Sequence, residues 1–307
     1  MRIVILGAGA VGAYYGGLLA RAGRDVTCIA RGANLAAMRD RGLEVRTPEG
    51  GFTVPMAATD RPEALPPADC AILAVKSYAL PDLSPVLRRV AEQGATILPL
   101  LNGVETAELL TRAGVPEAAI LGGLTKISAV RVAPGVVERK TPFQVVVAGE
   151  FDGRRSERVE RIVAAFREAG VDARATDRIR EELWEKWVFI VTLAAACGLA
   201  RSSIGPLRAD PLGRRLLERA RDEAVAVTRA RGIPFSEDQV ASLRALVDNL
   251  GPATRPSFLT DLEAGGPTEL DVLSGAVSRF AAELGVQVPV HDTAAVALAG
   301  RDILNRS

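Results

Sequence analysis

Ile3-Val4-Ile5-Leu6-Gly7-Ala8-Gly9-Ala10-Val11-Gly12 is the stretch on which the fold of this chain turns. Four apolar, mostly β-branched residues run directly into G-x-G-x-x-G, and the small residues after it continue with helical character to about residue 22. In this strand-turn-helix setting each glycine has a mechanical task. Gly7 permits the tight turn, Gly9 lets backbone N–H groups close on a pyrophosphate, and Gly12 lets the helix pack against the strand. Ala8, Ala10 and Val11 complete the loop, and the amino end of the helix adds partial positive charge toward the diphosphate. The motif therefore predicts a dinucleotide cofactor.

A second strand is expected at residues 25–30, and the βαβ order implies a parallel sheet with a right-handed crossover. In such units an acid at the end of the second strand holds the ribose 2′-hydroxyl of NAD. Here the strand ends Cys28-Ile29-Ala30-Arg31, without an acid. Arg31 is placed to pair with a 2′-phosphate, which favours NADP(H); a solvated surface arginine is the plainer alternative. Further along, strands are expected at 70–75, 96–100 and 143–149, with helices at 80–93 and after Gly103. Residues 43–46 and 52–55 flank Pro48-Glu49-Gly50-Gly51 and read as a small hairpin at the sheet edge.

From residue 178 onward the apolar spacing becomes helical, over 178–200, 206–231, 236–249, 268–284 and 293–305, with Gly and Pro between the segments. The fold class is thus α/β plus all-α. A Rossmann-type doubly wound parallel sheet domain spans residues 1–177, and a helical domain for substrate and dimerisation spans 178–307. A length of 307 residues fits two domains of ordinary size. Two apolar runs imitate membrane segments. Residues 3–20 are broken by Gly7, Gly9, Gly12, Gly16 and Gly17, and residues 187–200 fall short of the roughly 20 a bilayer demands, so the second run reads as a buried helix.

Lys and Arg total 38 against 37 Asp and Glu, a net charge of +1 that provides no broad cationic face for nucleic acid or an anionic membrane. Three separated cysteines, Cys28, Cys70 and Cys197, fit neither a disulfide framework nor a zinc site, and they point to a reducing, cytoplasmic setting. A single histidine, His291, excludes a multi-histidine metal centre, and no metal is expected. The apolar residues between 217 and 227 point to a surface for self-association, a homodimer.

Four further stretches match a family pattern. These are Ala74-Val75-Lys76, Leu101-Asn102-Gly103-Val104-Glu105, Glu182-Leu183-Trp184-Glu185-Lys186-Trp187, and Ser257-Phe258-Leu259-Thr260-Asp261 followed by Thr268-Glu269-Leu270-Asp271. Together with GAGAVG, in this order and at these separations, they make the chain resemble the ketopantoate reductase (2-dehydropantoate 2-reductase) family over nearly its whole length. The resemblance implies NADPH as cofactor and reduction of the ketone of 2-dehydropantoate to pantoate, a step toward pantothenate. It implies that Lys186 is the catalytic lysine and general acid, and that Glu269 hydrogen-bonds substrate and orients the lysine. Asn102 and Ser257 would contact substrate, Asn102 also lying near the nicotinamide, and Lys76 would contact cofactor. Each has a plainer role on its own. Lys186 lies four residues after Glu182 in the favourable ion-pair order, Glu269 suits a helix start, and Ser257 suits an N-cap. Asn102-Gly103 suits a turn, and Lys76 suits a solvated loop.

The departures matter as much. Family members that act on ketopantoate commonly carry asparagines four and eight residues after the lysine, where this chain has Ile190 and Ala194. Losing a buried amide partner costs a substrate about 1–3 kcal/mol, enough to change preference among 2-oxo acids. Two alternatives follow: a reductase of a more apolar 2-oxo acid or an imine, and a non-catalytic NADP-binding regulatory protein. His291 reads as structural, Trp184 and Trp187 as packing at the domain junction, Cys197 as a small buried residue, and Arg201 and Arg208 as flanks of a surface loop.

Overall fold

The computed structural model describes residues 1–299. The chain divides into two compact units, the first made of Met1–Leu101 with Glu105–Ile179 and the second of Asn102–Val104 with the chain from Arg180 onward.

The first unit opens with β1 (Arg2–Leu6), α1 (Ala10–Arg21), β2 (Asp25–Ile29), α2 (Gly32–Arg41), β3 (Leu43–Thr47), β4 (Gly50–Val54) and β5 (Ala57–Thr59). It continues through β6 (Cys70–Leu73), α3 (Leu80–Glu92), β7 (Thr96–Pro99) and α4 (Thr106–Arg112). The strands order as β5-β2-β1-β6-β7, all parallel. β1 shows why this sheet must be covered on both faces. Ile3 and Ile5 enter one core with Tyr14, Tyr15 and Leu19 of α1, while Val4 and Leu6 enter another with Leu80, Leu83 and Leu87 of α3. Successive side chains of a strand point to opposite faces, so an uninterrupted apolar strand needs helices on each side.

The rest of the unit departs from a single doubly wound sheet. β8 (Gly122–Lys126), β9 (Ala129–Ala133), β10 (Val136–Arg139), β11 (Val145–Gly149), α5 (Glu157–Glu168) and β12 (Asp172–Ala175) follow in order. The strand expected at 143–149 is β11, but it lies in a separate sheet, β12-β11-β8, antiparallel to β8 and parallel to β12. The hairpin of β3 and β4 forms as expected, yet it is not a bare edge. β10 adds to β3 in parallel and β9 adds antiparallel to β10, giving a sheet ordered β4-β3-β10-β9. The pairing of β10 with β3 joins segments remote in sequence, so local patterning does not reveal it.

The second unit holds α6 (Ile179–Ala200) from its second residue on, then α7 (Ile204–Ala209), α8 (Pro211–Ala230), α9 (Glu237–Asn249), α10 (Ser257–Glu263), α11 (Ser274–Leu284) and α12 (Pro289–Ala297). The helix expected at 206–231 is broken. Asp210 caps α8 by accepting from the N–H groups of Leu212 and Gly213 at 2.8 Å each, with Pro211 at the first helical position. Proline lacks the N–H that a continuing helix would use, and it suits a helix start. Arg208 lies on α7 rather than in a loop and donates to the carbonyls of Val247 and Asp248 at the end of α9. The segment expected as one helix at 268–284 begins instead with a 3-10 turn, Leu270–Val272, before α11. The last predicted helix starts earlier, at Pro289, and its extension beyond residue 299 lies outside the described residues.

α6 is the one helix among the described residues long and apolar enough to cross a membrane by composition, and most of that apolar window is buried. Trp184 and Trp187 pack in the core of the second unit, their rings 5.1 Å apart and each against Phe280. Leu217, Ala220, Ala224, Val225 and Val227 of α8 are buried as well, so the apolar stretch thought to await a partner is already covered.

Candidate active site

In the first unit the glycine-rich loop behaves as its mechanics require. Gly7 has φ +105°, and a Cβ there would meet the Val75 side chain at 2.5 Å and the Ala74 carbonyl at 2.8 Å. A Cβ on Gly12 would stand 2.1 Å from the Gly7 carbonyl oxygen. Both positions exclude any side chain because the backbone itself is in the way. Gly9 differs: a Cβ there meets nothing within 4 Å. The protein has no packing need for glycine at position 9, which fits a ligand backbone approaching that face. Gly9 is also the N-cap of α1 and offers no side-chain cap. The first N–H groups of α1 are thus left for an anion. Ala8, buried, donates its N–H to the Ile29 carbonyl at 3.1 Å and accepts from Asn34 Nδ2 at 3.0 Å, which ties the loop to β2 and α2. Ala10 and Val11 begin α1, both half-buried. This donor set fits a dinucleotide pyrophosphate.

Arg31 stands exposed at the N-cap of α2, just past β2. It lines a cavity of about 250 Å³ with Ala33, Asn34, Arg131, Ala133 and Pro134. Lys76, half-buried, follows β6 and starts a short 3-10 turn at Ser77–Ala79. Arg131 went unread in the sequence because β9 did. The signal was present: Val130-Arg131-Val132 alternates, Pro134-Gly135 marks a turn, and Val136-Val137 resumes the strand pattern.

The second unit brings three of the remaining site residues together. Lys186, near the start of α6, donates from Nζ to Asn102 Oδ1 at 3.3 Å. Asn102 Nδ2 in turn donates to Glu269 Oε2 at 3.2 Å. Glu269 is only 5% exposed, so its carboxylate needs such partners. It sits just before the 3-10 turn rather than in the first turn of a helix. The supporting contacts come from the same pieces of chain. Trp187 Nε1–H donates to the Val272 carbonyl at 3.0 Å, which ties α6 to the Glu269 turn. Gly103, at φ +101°, brings the Asn102 segment against Val272, where a Cβ would lie 3.3 Å from that side chain. The turn preference of Asn102-Gly103 and the use of the Asn102 amide therefore hold together.

Ser257 is the exposed first residue of α10; Pro256 is the N-cap, and Ser257 caps nothing. It is not hydrogen-bonded to the trio. Ile190 and Ala194 lie one and two turns beyond Lys186 on α6, Ile190 half-buried and Ala194 buried, both against the apolar core of the unit. His291 is fully buried; its ring pairs with the Ala220 carbonyl through Nε2 at 2.9 Å and with Ser274 Oγ through Nδ1 at 3.2 Å. Burial pushes its pKa down to about 4, so it is a neutral packing element rather than an acid or base. Burial also pushes the Cys197 thiol up to about 11, which suppresses its thiolate.

Two family models cover most of the sequence: ketopantoate reductase PanE/ApbA over residues 3–153 and ketopantoate reductase PanE/ApbA C terminal over residues 178–302. A 2-dehydropantoate 2-reductase from Halobacterium salinarum is 35% identical over 98% of this chain and 100% of its own length. Among solved structures, a PanE/ApbA family ketopantoate reductase from Ralstonia eutropha JMP134 superposes with a TM-score of 0.90 at 27% identity, covering 100% of both chains. A 2-dehydropantoate 2-reductase from Geobacter metallireducens GS-15 does so with a TM-score of 0.89 at 31% identity, over 97% of this chain and 99% of that one. With both models matching in order along the chain and a relative 35% identical over nearly all of it, this chain belongs to the ketopantoate reductase family.

Proposed function

We propose that the protein reduces the ketone of 2-dehydropantoate, or of a closely related 2-oxo acid, to the alcohol with NADPH, Lys186 acting as the proton donor. The relay from Lys186 through Asn102 to Glu269 carries this reading. The relatives bearing the name 2-dehydropantoate 2-reductase over nearly the full chain support the substrate class. The glycine-rich loop, Lys76 and Arg31 would hold the cofactor, which when bound supplies the hydride.

The work of the protein's own residues follows from charge. As the carbonyl carbon is reduced, the C=O electron pair retreats to oxygen, and a positioned cation and proton source lowers the barrier. Lys186 Nζ has three N–H donors, of which Asn102 Oδ1 engages one. A further N–H of the ammonium would turn to the carbonyl oxygen and pass it a proton, after which water reprotonates the amine. Asn102 accepts from the ammonium and donates to the Glu269 carboxylate, so the buried carboxylate sets the orientation of the amide and the amide sets that of the ammonium. Ser257 would hydrogen-bond the substrate from the first turn of α10.

A second reading concerns which oxo acid is taken. Ile190 and Ala194 place methyl groups, not amides, along the helix face beyond Lys186. That favours a ketone with a more apolar side chain. Following NADPH oxidation at 340 nm with ketopantoate and a panel of branched and aromatic 2-oxo acids tests both readings. Turnover that survives Lys186→Ala would end the proton-donor role, and no turnover with any oxo acid would leave a nucleotide-binding regulator instead.

A further inference from the structure

We propose that Arg131, on β9, is a second ligand of the cofactor's 2′-phosphate and shares with Arg31 the choice of NADPH over NADH. The inference rests on the cofactor part of the reading above and not on the identity of the oxo acid. It begins from the cavity of about 250 Å³ lined by Arg31, Ala33, Asn34, Arg131, Ala133 and Pro134. Two guanidinium groups share it, and no carboxylate lines it. Several other arginines of the same unit are matched, among them Arg2 with Asp25, Arg139 with Glu49, and Arg158 with Glu150. Arg31 and Arg131 have neither an ion pair nor a side-chain hydrogen bond among the described residues. Like charges without a counter-ion repel, and an anion between them reverses the sign of the interaction. A phosphomonoester carries roughly −1.5 to −2 charges near neutral pH and presents oxygens to both planar forks.

The cavity also stands where that phosphate is expected. It adjoins the end of β2, the place at which a Rossmann unit meets the adenosine ribose. Asn34 holds its two walls in register. Its Nδ2 donates to the Ala8 carbonyl at 3.0 Å, and its Oδ1 accepts from the Gly135 N–H at 2.9 Å. One buried side chain thereby joins the glycine-rich loop to the β9–β10 turn, and so sets the distance from the pyrophosphate site to the strand that carries Arg131. Strand alternation puts Val130 on the face opposite Arg131. Ala133 and Pro134 close the cavity with small or rigid side chains that bring no competing charge.

Adenosine 2′,5′-bisphosphate and adenosine 5′-monophosphate differ only in the 2′-phosphate, so calorimetric titration of both into the full chain isolates this contact from catalysis. Arg131→Ala is expected to weaken the bisphosphate by about 10- to 100-fold while leaving the monophosphate within about 2-fold, with Arg131→Lys between them. The ratio of NADPH to NADH affinity should fall in parallel. Equal weakening of both nucleotides would reduce Arg131 to a support of the hairpin and overturn the proposal, as would no change in either. A wild-type protein that binds the bisphosphate no better than the monophosphate overturns the NADPH reading itself and this inference with it. Discrimination that persists intact in Arg131→Ala and vanishes in Arg31→Ala overturns this inference alone. Arg131 is exposed and unpaired, so its loss should leave the melting temperature near that of the parent.

Discussion

The side-chain amide of Asn102 stands between Lys186 Nζ at 3.3 Å and Glu269 Oε2 at 3.2 Å, accepting from the first and donating to the second. An amide can meet both demands in only one orientation, with its oxygen toward the ammonium and its nitrogen toward the carboxylate. In the proposed reaction, a proton donor held this way would already be aimed, without reorganisation at the moment charge develops.

Removing the donor and removing its holder should differ in kind. Lys186→Ala is expected to lower kcat by about 10²- to 10⁴-fold with little change in cofactor affinity. Asn102→Ala should lower kcat less. It should also reduce stability by about 1–3 kcal/mol, because it deprives the buried Glu269 carboxylate of a donor. Steady-state kinetics beside thermal melts of the same variants check this; an Asn102→Ala protein with unchanged kcat would show that the relay is idle.

The glycines of the loop make a contrasting pair. Gly12→Ala puts a Cβ 2.1 Å from the Gly7 carbonyl oxygen and should cost several kcal/mol of stability or block folding. Gly9→Ala meets no protein atom within 4 Å, so the fold should be retained while cofactor affinity drops by about tenfold or more. Melting temperature and nucleotide titration read the two effects separately. Full cofactor affinity in Gly9→Ala would mean that no ligand backbone passes there.

Substrate preference should respond to a single amide. Ile190→Asn restores a hydrogen-bonding group one turn beyond Lys186 and should shift kcat/KM by about tenfold toward ketopantoate and away from apolar 2-oxo acids. An unchanged ratio across the panel would place the selectivity elsewhere.

His291 gives a pH signature of folding. Its pKa is held at about 4 in the folded chain against an ordinary value of 6.5, so the unfolded chain takes up the proton first. Its contribution to stability is whole above about 6.5 and declines as the pH falls toward 4, by on the order of 3 kcal/mol in total. Glu223, which accepts from the Val290 and His291 N–H groups, has a pKa raised by burial, so its own contribution declines as pH rises through that region. The His291 effect is therefore read as a difference. Melting temperatures of parent and His291→Gln should converge as pH drops from 7 to 5, and parallel curves would contradict the assignment.

Much of this was legible in local sequence. The glycine-rich loop announces itself through steric needs that act within a few residues, and helices such as α9 and α11 show in the spacing of their apolar positions. Other features were not read from local sequence. α7 and α8 read as one helix until Asp210 and Pro211 are recognised as a cap and a first turn. The apolar face of α8 reads as a partner surface until the helices that cover it are in place.

Motif and periodicity pointed to a nucleotide-binding α/β unit followed by a helical one, and the resemblance to the ketopantoate reductases marked Lys186, Asn102 and Glu269 as candidates. Only tertiary structure decided that these three form one hydrogen-bonded relay, that Ser257 stands apart from it, and that Arg131 shares a cavity with Arg31. Helical period and turn chemistry act between near neighbours along the chain. The relay spans separations of 84 and 167 residues. Contacts at that distance exist only once the apolar cores have brought the segments together.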